Sequence, residues 1–143
     1  MKIGFIGLGN VGGKLASSLL RNKFELTVRD LDEDLTKNFQ NKGAAIANSP
    51  KELAQQVDLI ITCLPSPKIC SDVMEAIDGV ISGLSKNKIW LEMSTTDESE
   101  IKRLGKMVID KGAIPLDGPV SGGCHRAATG NISKSIYLGK YKK

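Results

Sequence analysis

The chain has 143 residues, 41% of them hydrophobic and 25% charged, values of a single soluble domain long enough to bury a core. No apolar run reaches membrane-spanning length, and the three cysteines, Cys63, Cys70 and Cys124, match neither a disulfide framework nor a zinc spacing. The formal net charge of +4 belongs to the last ten residues, where Lys134, Lys140, Lys142 and Lys143 stand without an acid and leave 16 basic against 16 acidic residues before them. With six aromatic residues and no basic patch among them, this tail disfavours a nucleic-acid partner.

The first residues run straight into an apolar stretch, without the basic segment and small-residue cleavage site of a signal peptide. This predicts a cytoplasmic chain. Lys2–Ile6 reads as a buried strand that feeds Gly7-x-Gly9-x-x-Gly12. A dinucleotide fold needs a tight strand-to-helix turn (Gly7), bare backbone against the pyrophosphate (Gly9) and close helix–strand contact (Gly12). The helix from Val11 to about Arg21 aims its unpaired N–H groups and positive dipole end at the phosphates. A second strand, Glu25–Val28, ends at Asp30, 18 residues beyond Gly12. A carboxylate there accepts from both hydroxyls of the adenine ribose and repels a 2′-phosphate. Leu31 is no phosphate clamp, so NAD is favoured over NADP, although Arg29 stands close by.

Asp32–Asn41 reads as a helix capped by Asp32, Ala44–Ala47 as a short extended piece, and Ser49-Pro50 as the start of another helix. Val57–Leu64 is a near-continuous apolar run, the signature of a central parallel strand, ended by Pro65 and Pro67. Leu64-Pro65 thus lies at the carboxyl edge of the sheet, where ligands bind in open α/β folds. A helix through Val73–Ile77, a strand at Lys88–Met93, a helix at Asp97–Ile109 and a strand at Ala113–Leu116 follow. The hydroxyls of Ser94-Thr95-Thr96 serve equally well as ligands of the nicotinamide ribose or amide and as caps of the following helix. Asp117–Gly123 is a second glycine-rich loop, in which Gly122-Gly123 forms a nest for a carboxylate and Ser121 adds a donor. His125 has no positioned partner and reads as a surface residue. A last strand is expected at Ser135–Leu138. Alternating strands and helices predict an α/β, Rossmann-type, doubly wound and mostly parallel sheet.

Phe5-Ile6-Gly7-Leu8-Gly9-Asn10-Val11-Gly12, Cys63-Leu64-Pro65, Met93-Ser94-Thr95-Thr96 and Asp117-Gly118-Pro119-Val120-Ser121-Gly122-Gly123, extending to Ala127 and Gly130, carry a further signal. In that order they resemble the NAD-binding domain of the β-hydroxyacid dehydrogenases, which include 3-hydroxyisobutyrate dehydrogenase and, more distantly, 6-phosphogluconate dehydrogenase. The resemblance implies that Gly7, Leu8, Gly9, Asn10, Val11 and Gly12 hold the pyrophosphate and that Asp30, beside Leu31, holds the adenine ribose. Leu64 and Pro65 would line the dinucleotide backbone, and Thr95 would lie near the nicotinamide. Ser121, Gly122 and Gly123 would bind the substrate carboxylate or its neighbouring hydroxyl. It implies NAD as cofactor and oxidation of a 3-hydroxy acid to its semialdehyde or keto acid, or the reverse.

Asn10, Val11 and Cys124-His125-Arg126 depart from the family pattern. The family also continues into an all-helical domain that supplies the catalytic lysine and most of a dimer interface, and no counterpart of that domain follows here. The chain is accordingly divided into a dinucleotide-binding domain at 1–133 and a strand remnant with a basic tail at 134–143. No catalytic residue and no metal ligand is assigned within it. It is expected to be a truncated gene product, an excised domain or half of a split enzyme, its substrate a small 3-hydroxy acid or semialdehyde if a helical domain completes it, with a homo-oligomer or a second chain as possible partner. The alternative is a non-catalytic dinucleotide-binding module or relic. No membrane partner is expected.

Overall fold

The computed structural model describes residues 1–94, 97–118, 120–121 and 133–134. Six parallel strands form the sheet: β1 (Lys2–Ile6), β2 (Glu25–Arg29), β3 (Ala45–Ile46), β4 (Leu59–Thr62), β5 (Ile89–Glu92) and β6 (Ile114–Asp117). Their spatial order is β3-β2-β1-β4-β5-β6. The chain winds outward from β1 through β2 to β3, then returns to the other side of β1 and winds outward again. The reversal lies between β1 and β4, where Ile3 pairs with Leu59 and Ile6 with Thr62. In open α/β sheets this switch point opens a crevice at the carboxyl ends of the strands.

Alternation along the strands sends side chains to two separate cores. Ile60 and Trp90 face one, with Leu53, Met74, Leu104 and Val108 from the helices. Ile61 and Leu91 face the other, with Phe5, Leu15, Val28 and Phe39. Both faces of the sheet are therefore covered, which accounts for strands that read as continuous apolar runs. Gly4 lacks the side chain that would otherwise strike Leu53.

The helices are α1 (Asn10–Arg21), α2 (Glu33–Asn41), α3 (Pro50–Gln56), α4 (Pro67–Glu75), the single turn α5 (Val80–Gly83) and α6 (Glu98–Asp110). Four of them start on a capping side chain. Asp32 accepts from Asp34 and Leu35, Ser49 from Glu52, Ser66 from Ile69, and Asp97 from Ser99. Pro50 and Pro67 occupy first-turn positions that need no N–H donor. The C-terminal end of α3 is closed by the Lys88 ammonium, which donates to the carbonyls of Ala54, Gln55 and Val57. Burial there lowers the lysine's pKa.

The expected elements recur with small shifts of boundary. The helix after Pro67 stops at Glu75, short of Ile77, which is 94% exposed. The turn α5 was not expected, because four residues carry no helical period. A separate two-stranded antiparallel sheet pairs β7 (Val120–Ser121) with β8 (Ser133–Lys134). The strand expected at Ser135–Leu138 lies outside the described residues. Among the described residues, no helix is long and apolar enough to cross a membrane.

Candidate dinucleotide site

The three loop glycines meet different surroundings. Gly7 has φ +100°, a left-handed conformation, and a Cβ there would strike the Cys63 carbonyl of β4's extension. A Cβ on Gly12 would fall on the Gly7 carbonyl oxygen, so α1 and the loop touch backbone to backbone. Around Gly9 the opposite holds: a Cβ meets nothing within 4 Å. Two glycines close the turn and the third leaves a bare, open stretch of backbone. Gly9 is also the N-cap of α1, with no side-chain cap and no acid in the first turn. The helix therefore begins with its dipole and amide groups directed at open space, an arrangement suited to an anion.

Asp30 is tied to this loop. Its Oδ2 accepts from the Leu8 amide at 2.7 Å and its Oδ1 from the Asp32 amide at 2.9 Å. Gly7 N–H also donates to the Arg29 carbonyl at 3.2 Å. The acid that the sequence assigns to the ribose thus also braces the glycine loop, a connection that sequence spacing does not display. Leu8 contributes backbone only, since its side chain is 2% exposed within the core. Asn10 is exposed, Val11 is half-buried, and Leu31, at 90% exposure, stands open beside Asp30.

Across the switch point, Leu64 is half-buried and Pro65 exposed. The Leu64 amide donates to Ser94 Oγ at 2.6 Å. Of the two roles left open for the hydroxyls of Ser94-Thr95-Thr96, ligand or helix cap, that of Ser94 does not cap the helix. It joins the end of β5 to the end of β4, and Asp97 caps α6 instead. Beneath this edge lies a buried polar cluster that the sequence reading missed. Glu92, fully buried, accepts from Ser94 N–H (2.6 Å), Thr62 Oγ (2.6 Å) and Cys70 Sγ (3.0 Å), while Trp90 Nε1 donates to Thr62 Oγ (2.9 Å). Burial raises the carboxyl's pKa, and its three donors oppose that rise. Burial, and next the Glu92 charge, push the Cys63 thiol up to about 11. The available signal was one acid inside the apolar strand Ile89-Trp90-Leu91-Glu92.

The loop glycines, Leu8 and Asp30 form one connected unit, and Leu64 with Ser94 a second, both at the carboxyl ends of the strands. Ser121 lies in β7. Thr95, Gly122, Gly123, Cys124 and His125 lie outside the described residues. Among the described residues, no three His, Cys, Asp or Glu side chains gather as metal ligands. Gly9's open backbone and the lone pairs that Asp30 retains fit the pyrophosphate and ribose of a dinucleotide.

The chain is 38% identical over 131 residues to mitochondrial 3-hydroxyisobutyrate dehydrogenase of Mus musculus, covering 92% of this chain but 39% of that protein. Among solved structures it resembles 3-hydroxyisobutyrate dehydrogenase from Salmonella typhimurium (TM-score 0.87, 26% identity, 95% of this chain and 47% of that one). It also resembles Psf3 in complex with NADP⁺ and 2-OPP (TM-score 0.89, 25% identity, 94% and 48%). The chain thus spans less than half the length of these relatives. A family model, the NAD binding domain of 6-phosphogluconate dehydrogenase, matches residues 2–136. With that match lying over the glycine loop, the acid and all six parallel strands, the chain belongs to this family of nicotinamide-dinucleotide-binding domains.

Proposed function

We propose that the chain is the NAD(H)-binding half of a 3-hydroxyacid dehydrogenase, a protein that oxidises a 3-hydroxy acid to its semialdehyde or keto acid, or runs the reverse. The observation that carries the reading is the glycine loop, with Gly7 and Gly12 closed, Gly9 open and Asp30 hydrogen-bonded to Leu8. Gly9 and the first turn of α1 would receive the pyrophosphate, and Asp30 the adenine ribose. NAD is favoured over NADP because a 2′-phosphate would meet the Asp30 carboxylate, with the uncharged Leu31 beside it.

When bound, the cofactor supplies a hydride acceptor or donor. The chain's own residues bind and orient it along the carboxyl edge. Ser121, Gly122 and Gly123 would take the substrate's carboxylate, as the family resemblance implies. The proton-transfer lysine belongs to the family's helical domain, which has no counterpart in these 143 residues. Lys68, in the first turn of α4 at this edge, is exposed and paired with Asp72 at 3.0 Å. Catalysis therefore needs a second chain or domain. The thiols of Cys63 and Cys70 are free, which suits a reducing, cytoplasmic setting.

Calorimetric titration with NADH and NADPH tests the reading. Tighter binding of NADH supports it, and equal or tighter binding of NADPH contradicts the NAD assignment.

A further inference from the structure

Glu92 is an unusual residue for the inside of a sheet. It shares a face with Trp90, in the top layer of the core beneath α4, and among the described residues no cation is one of its hydrogen-bond partners. A buried carboxyl without a cation costs stability, and an apolar side chain of similar size would pack there without that cost. Its contacts show what the carboxyl does instead. One oxygen accepts from the Ser94 amide, and the Ser94 hydroxyl in turn accepts from the Leu64 amide. The other oxygen accepts from Thr62, at the last position of β4, and from Cys70 of α4. One group thus fixes the end of β4, the end of β5, the first residues of both following loops and the helix behind them.

The position of this edge relative to the glycine loop gives it a role. If the adenine ribose meets Asp30 at the end of β2 and the pyrophosphate meets Gly9 after β1, the second nucleoside extends across the switch point, over β4 and β5. Resting on the dinucleotide reading above, we propose that Glu92 is a positioning residue for the nicotinamide half of the cofactor. From below, it holds Leu64, Pro65 and Ser94 in the arrangement that receives the nicotinamide riboside. It touches neither cofactor nor substrate.

The test compares NADH, which spans both halves, with ADP, which reaches only the adenine half. Glu92→Gln keeps the shape but turns an NH₂ toward donors, so the network must rearrange. Trp90, the only tryptophan, donates into the network and reports that rearrangement by its fluorescence. In the folded variant the NADH dissociation constant should rise about tenfold, the scale of one lost hydrogen bond to a charged group. That for ADP should stay within about twofold of wild type. An unchanged NADH affinity, or equal losses for NADH and ADP, would overturn the proposal. If Glu92→Gln does not fold, Ser94→Ala, which removes the hydroxyl that links Glu92 to Leu64, carries the same comparison with the same two outcomes. A wild-type chain that binds neither ligand would overturn the dinucleotide reading itself, and this proposal with it.

Discussion

A side chain added at Gly9 enters open space, whereas one added at Gly12 strikes the backbone of the preceding turn. The two positions therefore respond differently to substitution, although both are glycines of one motif. Gly9→Val should leave the thermal midpoint near that of wild type and abolish NADH binding, because its branched side chain fills the approach to the phosphates. Gly12→Ala should destabilise the fold by about 1–3 kcal/mol, the cost of forcing atoms into a packed contact. Circular dichroism melts with parallel NADH titrations separate the two effects. A Gly9 variant that binds normally would remove the loop from the cofactor site. Asp30→Ala loses any bonds to the ribose together with the acceptor of Leu8 N–H, and should weaken NADH by about 1–3 kcal/mol. If the loop brace matters, Asp30→Ala should also weaken a ligand that carries no ribose, inorganic pyrophosphate, in a competition titration. An effect confined to ligands that carry the adenine ribose would assign Asp30 to the sugar only.

At the scale of elements, Glu92 joins β4, β5 and α4, and its titration should be visible in stability. Its folded pKa is raised by burial above the ordinary 4.5, so the folded state holds the proton more tightly than the unfolded chain. The stabilising contribution of that proton is complete below about pH 4.5 and is lost as pH rises through the folded value. Urea unfolding of wild type and Glu92→Gln across this range should show the wild type's relative stability falling with rising pH. A difference independent of pH would mean that Glu92 does not titrate there. The element pattern was largely legible in the sequence. Continuous apolar runs, helical spacing, Asp32, Ser49-Pro50 and Asp97 all announce their elements through local chemistry. The turn α5 and the Glu92 cluster were not, because the first is too short for a period and the second assembles residues 62, 70, 92 and 94 only after the strands pair. Ser94 illustrates the same limit: its partner, the Leu64 amide, is 30 residues away.

For the whole molecule, the strand order places the two bound units on opposite sides of the β1/β4 switch point, with Asp30 and the glycine loop on one and Leu64 with Ser94 on the other. A dinucleotide bridging them would lie along one edge of the sheet. On the proposed reading no residue assigned here carries the proton transfer, so steady-state assays of the isolated chain on small 3-hydroxy acids should find turnover well below about 1 s⁻¹. Turnover at or above that rate would require a base within these residues, with Lys68 and His125 the first to replace. The most direct measurement is a two-dimensional NMR titration of labelled protein with NADH, following every backbone amide. Shifts should concentrate at Gly7 to Gly12, Asp30, Leu31, Leu64 and Ser94, while the opposite sheet edge, at Lys2, Glu25, Asp58 and Lys88, stays still. Saturable shifts centred on that opposite edge, or none at millimolar NADH, would contradict the account.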